Sequence, residues 1–282
     1  MPERPGDPLL LKMQWVPRCA QMVPDPLLKA PDRILVIKLR YVGDVLLATP
    51  VLSRLREGFP KAHLAMMVNP GTDGVARGHP ALDDVLVVER GSPARQWRFA
   101  RELRARCYDL VIDLTDSDRS AVLSWLTGAP VRLGYNSEGR RRGCLYTRIV
   151  EADRFGMHQV RYHLKATEAL GLTGPPPDPA LVVSPEARSA ADRLLREAGI
   201  DAARPLVCLH PGARWWFKSW PAERFAALAD RVQTDMPAQA LFLGGEQERV
   251  AAGRIAQSMK TPLRSLVGRT GLQELAAVLA RA

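Results

Sequence analysis

Cysteine is scarce and scattered. The 282 residues hold only Cys19, Cys107, Cys144 and Cys208, and no two stand in C-x-x-C spacing. That points away from a disulfide framework and from zinc, and toward reduced thiols in a cytosolic protein. Long apolar runs are also missing; the longest are strand-length, short of the roughly 18 consecutive residues of a membrane span. The first 30 residues contain PLLL and MVPDPLL without a continuous apolar core, so no signal peptide is expected. Frequent prolines, Pro2 to Pro31, make residues 1–32 read as an irregular arm. No G-x-G-x-x-G follows the first strand-like run, which argues against dinucleotide binding. G-x-S-x-G and H-E-x-x-H are absent, and His63, His79, His158, His163 and His210 show no ligand spacing. Neither a hydrolase triad nor a metal site is expected.

What is present is an ordinary globular composition, 46% hydrophobic and 25% charged, with a net charge of +10. The length suits two domains. The positive charge calls for an anionic partner, and nucleic acid, anionic lipid and phosphorylated sugars all qualify. Strand-like RILVIKL (Arg33–Leu39), HLAMMV, DVLVVE, DLVIDL and VRLGY alternate with helical patterns, among them Val45–Glu57 and Pro93–Arg106. Near-continuous apolar strands separated by helices indicate parallel sheets covered on both faces. A helix over His158–Leu170 leads to a Pro/Gly-rich break. The expected organisation is an arm at 1–32, a first α/β domain at 33–171, a linker at 172–183 and a second α/β domain at 184–282. The second shows three strand candidates: PLVCL, QALFL and LRSLVG.

Three loops carry candidate chemistry. HPGARWWFKSW (His210–Trp220) follows a strand and opens a helix, the edge of an α/β sheet where ligands bind. Gly212 allows a tight turn, and Arg214, Lys218 and Ser219 offer a phosphate two cations and a hydroxyl. Phe217 stands where a P-loop needs glycine, so an NTPase is rejected and a looser diphosphate site remains, against a plain surface loop with packed tryptophans. LGGEQE (Leu243–Glu248) repeats the placement; Glu246 either caps a helix or accepts hydrogen bonds from a nucleoside. In DLTDSDRS, Asp116-Ser117-Asp118 has the look of a D-x-D metal motif, but caps before a helix explain it and no metal is expected, while Arg119 is a candidate to face a cleft. Arg140, Arg141 and Arg142 sit in a loop after a strand and suit a phosphorylated ligand. On Pro93–Arg106, Phe99, Ala100 and Leu103 share one face and arginines spread over the other, a solvated face that would also attract an anionic membrane. No zinc finger or RNA-recognition signature accompanies these arginines, which makes nucleic acid the weaker partner. Asp44, directly after Gly43 at the first strand–helix seam, is either a helix cap or a general base at the cleft edge.

In order, ILVIKLRYVGDVLLATPVLSRLR, RLGYNSEGRRRG, MHQVRYHLKATEALGL, HPGARWWFKSWPAERFAAL and LFLGGEQE resemble the blocks of glycosyltransferase family 9, the heptosyltransferases of lipopolysaccharide core assembly. The likeness spans residues 33 to 282 and is strongest to the heptosyltransferase III branch. It implies a GT-B fold of two facing Rossmann-like, doubly wound α/β domains, no metal or other cofactor, and inverting transfer of heptose from ADP-heptose to a phosphorylated inner-core acceptor, at the cytoplasmic face of the inner membrane. Asp44 would match the general base, Lys218 the residue that neutralises the departing diphosphate, and Glu246 a nucleoside contact. Arg214 and Ser219 would join the donor site, and Gly43, Arg119, Arg140, Arg141 and Arg142 the acceptor side. Members of that family continue into a D-[ST]-G-P-x-H loop beyond the helix matching GLQELAAVLARA. A second domain lacking strands is therefore expected, with weak donor binding and little turnover by these 282 residues. The other reading, from a different class, is a non-catalytic protein binding anionic lipid or nucleic acid on such a scaffold.

Overall fold

The computed structural model describes residues 30–88, 91–213 and 215–282. The expected arm lies outside them except for residues 30–32, and so does Arg214. Along the chain run β1 (Arg33–Lys38), α1 (Val42–Leu46), α2 (Thr49–Gly58), β2 (His63–Val68), α3 (Asp73–Ala76), β3 (Asp84–Val87) and α4 (Pro93–Ala105). Then come β4 (Leu110–Asp113), α5 (Asp118–Leu126), β5 (Val131–Gly134), β6 (Arg148–Ile149) and α6 (Gln159–Glu168). The remainder is α7 (Pro185–Glu197), β7 (Leu206–Leu209), α8 (Ala222–Thr234), β8 (Gln239–Phe242), α9 (Arg249–Ser258) and α10 (Leu272–Leu279).

Among the described residues, six strands form one sheet in the order β3-β2-β1-β4-β5-β6. β1 pairs with β4 in parallel register, Ile34 opposite Leu110 and Ile37 opposite Asp113, and β4 pairs likewise with β5. The interiors of β1, β2 and β4 are fully buried, including Ile34–Ile37 and Leu110–Ile112, while β3 and β6 at the edges are more exposed. Burial on both faces is why these strands read as unbroken apolar runs rather than alternating ones. The strand order reverses between β1 and β4, and the crevice outside the carboxyl ends of such a pair is where open α/β sheets bind ligands.

Contacts group the chain into two compact units. Of the described residues, those up to Leu39, Val51–Met67 and Val88–Pro177 form one; Arg40–Pro50, Val68–Val87 and Asp178–Ala282 form the other. In the second, parallel β7 and β8 carry helices on both faces. Ala240 and Phe242 of β8 pack with Ala226 and Ala229 of α8 and Ile255 of α9, while Leu241 and Leu243 pack with Ala191 of α7 and Val278 of α10. The alternation follows from the two-residue repeat of a strand.

Three local expectations need correction. The helix expected over Val45–Glu57 is two helices, α1 and α2. Pro50 has no N–H to offer the carbonyl of Leu46, and the Thr49 hydroxyl donates to that oxygen instead at 2.8 Å. LRSLVG contributes one isolated bridge, Phe242 to Ser265, rather than a third strand. The helix expected from Glu246 begins as a 3-10 turn, Glu246–Glu248, before α9.

Candidate functional site

Asp44 is the third residue of the five-residue α1, not the residue before it. From there its carboxylate reaches back and accepts the Tyr41 backbone N–H at 3.3 Å, so it caps the helix from inside. It is half-buried, with Gly43 exposed beside it and nothing within 4 Å of a Cβ placed on that glycine. The end of β1 that feeds this seam is anchored from within its own unit. Lys38, 3% exposed, donates from Nζ to the Leu114 carbonyl at 2.8 Å and to His163 Nε2 at 2.9 Å. Gln159 Nε2 lies 2.9 Å from the same ring nitrogen. Single-sequence reading found no role for His163, because nothing in its spacing signals a partner 125 positions upstream.

In the second unit, the loops after β7 and β8 enclose a cavity of about 390 Å³, lined by Gly212, Ser219, Trp220, Glu248 and Arg254 among others. Lys218, beside Ser219, ends a 3-10 turn; it is exposed and its ammonium meets no partner among the described residues. Glu246 lies outside the lining; its side chain is 74% exposed and pairs with Arg249 at 2.5 Å. The buried glutamate of this loop is Glu248, which accepts the Gly245 N–H at 2.7 Å. Its side chain fills the space where Gly212 and Gly244 would carry a Cβ. Gly212 is thus required for close approach of Glu248 rather than for a left-handed turn. Two carboxylates two residues apart look alike in sequence; only burial separates them.

On the first unit, the three arginines of the β5–β6 connection do different things. Arg142 is buried, with Nη2 2.7 Å from Asp116 Oδ1 and Nη1 3.0 Å from Asp118 Oδ1. Burial opposes ionisation of Asp116, but hydrogen bonds from Ser137 and Arg142, with the charges of Arg142 and Arg154, hold its carboxyl below its ordinary value. Asp116 adopts a left-handed backbone, φ 57°, to reach this position. Ser117 rather than either aspartate caps α5, accepting the Ser120 N–H at 3.3 Å. Beneath, wholly buried Asp113 has its carboxyl pushed up by burial, although Thr115 N–H at 2.8 Å and Tyr146 OH at 2.7 Å both donate to it. Arg142 therefore pins the turn. Arg140 and Arg141 are exposed on it and line a depression of about 450 Å³ with Val122, Cys144 and Leu145. Arg140 also pairs with Glu138, and Arg141 meets no acidic side chain among the described residues. Arg119 is exposed on the first turn of α5. No group of three His, Cys, Asp or Glu among the described residues could hold a metal ion.

Parallel sheets wrapped by helices, with glycine- and cation-bearing loops at their carboxyl ends, define a GT-B-like α/β protein. The structure superimposes on glycosyltransferase family 9 from Veillonella parvula DSM 2008 with a TM-score of 0.81 and 27% identity, over 89% of this chain and 73% of that one. It shares its fold with Escherichia coli ADP-heptose lps heptosyltransferase II, TM-score 0.75 at 23% identity over 89% and 77% of the two chains. A sequence model described as "Glycosyltransferase family 9 (heptosyltransferase)" matches residues 96–282, and the chain belongs to that family. It is a glycosyltransferase. Among curated relatives, lipopolysaccharide heptosyltransferase 3 of E. coli K12 is 28% identical over 250 residues, 86% of this chain and 72% of the relative.

Proposed function

We propose that the protein transfers heptose from ADP-heptose to a phosphorylated sugar of the lipopolysaccharide inner core, with inversion at the anomeric carbon. The observation that carries the donor half is the cavity after β7 and β8, with Ser219, buried Glu248 and Arg254 in its lining, and with Lys218, the residue before Ser219, meeting no partner among the described residues. A nucleoside diphosphate needs such a concave, partly polar site with a cation at the phosphates. Family membership and the names of the relatives, which include an ADP-heptose enzyme and a lipopolysaccharide heptosyltransferase, support the same donor and acceptor.

In this reading Asp44 takes the proton of the acceptor hydroxyl as its oxygen attacks the anomeric carbon. The bond from that carbon to the donor's phosphate oxygen breaks, and ADP leaves carrying the electron pair. Lys218, with Arg214, balances the charge that grows on the diphosphate, so no metal is needed. Arg119, Arg140 and Arg141 receive the phosphates of the acceptor. No helix among the described residues is long and apolar enough to cross a membrane. We place the reaction at the cytoplasmic face of the inner membrane through peripheral contact.

Titration calorimetry with ADP, paired with a transfer assay, tests this. Lys218→Ala is expected to weaken ADP binding about tenfold, the scale of one charge-assisted contact. In a form that carries the D-[ST]-G-P-x-H loop as well, Asp44→Ala is expected to keep ADP affinity and abolish transfer. Turnover surviving Asp44→Ala would reduce Asp44 to a helix cap, and a full chain that ignores ADP would end the donor assignment.

A further inference from the structure

Of the thirteen residues of α4 only Leu103 is buried, with Phe99 and Ala100 half-buried. The rest of the helix faces solvent, yet it carries a tryptophan, Trp97, at 64% exposure. The Arg101 guanidinium lies over that ring, 5.0 Å from its centroid. Arg101 and Arg104 follow Trp97 at i+4 and i+7, on the same side of the helix. The Arg104 guanidinium lies against Gly128, the residue whose N–H bonds the Trp125 carbonyl at 3.0 Å. Trp125 and Val122, one turn apart on α5, are 53% and 43% exposed. A stripe of Trp97, Arg101 and Arg104 thus runs toward α5, which bears the exposed Trp125 and Val122; Asp118, the exposed carboxylate that shares a depression with Val122, is paired with Arg142 at 3.0 Å and Arg140 at 3.7 Å, and Glu102 projects to another side of α4.

We propose that this stripe docks the protein on an anionic lipid bilayer. Tryptophan is favoured at the headgroup level, where its ring is partly buried and its N–H stays wet, and arginines beside it meet lipid phosphates. Each cation near an anionic leaflet adds attraction that salt screens. A nucleic acid fits less well, because the guanidinium of Arg101 occupies the Trp97 face on which a base would stack. The inference deepens the lipid-linked acceptor reading but does not depend on the transfer chemistry.

Co-sedimentation of the full chain with vesicles tests it. Vesicles of phosphatidylcholine with about 30 mol% phosphatidylglycerol are expected to bind at least about tenfold more strongly than phosphatidylcholine alone, and less strongly in about 0.5 M salt. Trp97→Ala/Trp125→Ala is expected to lower that partitioning about tenfold with an unchanged melting temperature, since both rings are exposed. Arg101→Glu/Arg104→Glu is expected to abolish it. Unaltered partitioning of the tryptophan variant overturns the proposal, as does a chain that ignores the vesicles while retaining a labelled RNA oligomer. The outcomes separate from those of the donor assignment. Tryptophan-dependent vesicle binding without ADP binding would sustain the docking stripe and end the transferase reading. ADP binding without vesicle binding would do the reverse.

Discussion

Arg140, Arg141 and Arg142 are three identical side chains in a row, and burial alone divides their work. Arg142 neutralises Asp116 where water does not reach, at 2.7 Å. Removing one partner of a buried pair strands the other charge, which costs roughly 3–5 kcal/mol. Arg142→Met should therefore lower unfolding free energy by about that amount in urea titration, whereas Arg141→Met should stay within about 0.5 kcal/mol and instead raise KM for a phosphorylated acceptor. The pH dependence has a definite sign. Asp116 is held below its unfolded value of about 3.9, so its contribution is present above that pH and is lost as pH falls through the lower folded value. Between about pH 5 and 2 the wild type should lose more stability than Arg142→Met, which lacks the pairing to lose. The same logic separates the two glutamates of LGGEQE. Glu248→Ala removes a bond to Gly245 and a wall of the cavity; it should cost about 1 kcal/mol and weaken ADP binding. Glu246→Ala, on an exposed side chain, should change neither by more than the scatter of surface mutations.

At the scale of elements, the sequence was most legible where local chemistry and tertiary packing agree. Pro185 stands at the first position of α7, where its missing N–H costs nothing, and Ser184 accepts the Ala187 N–H at 3.1 Å. Ser184→Ala should lower stability by about 1 kcal/mol by chemical denaturation, while Ser184→Asp, which also caps, should come close to wild type. The central strands were legible because both faces are buried, which leaves unbroken runs such as LVID of β4. The exceptions share a cause: competition that periodicity does not register. Val45–Glu57 keeps helical spacing throughout, so Pro50 shows its effect only through the carbonyl of Leu46 that it leaves to Thr49. LRSLVG has strand composition, yet only Ser265 bridges to Phe242. The site divides the same way. Lys218, Ser219 and Asp44 were visible as types at strand ends. The buried roles of Glu248, Arg142 and the Lys38–His163 pair depend on partners far away or on burial, and neither leaves a mark in the local sequence.

For the molecule as a whole, a net charge of +10 is a weak guide, because any polyanion will be drawn to it. What discriminates is whether different anions use different parts of the chain. The diphosphate reading draws on the loops after β7 and β8 in one unit, the bilayer reading on α4 and α5 in the other. Hydrogen exchange resolves this directly, since bound segments open less often and exchange more slowly. ADP should slow exchange of backbone amides in residues 211–222 and 244–255 and leave 93–105 and 118–128 unchanged. Vesicles containing phosphatidylglycerol should do the opposite, and the effect on 93–105 should fade with added salt, because the interacting charges are exposed and screened. Equal protection of both regions by either ligand would mean that net charge, and not the two surfaces, governs binding. Protection confined as described would show that one basic chain keeps a nucleotide and a membrane apart by giving each its own geometry.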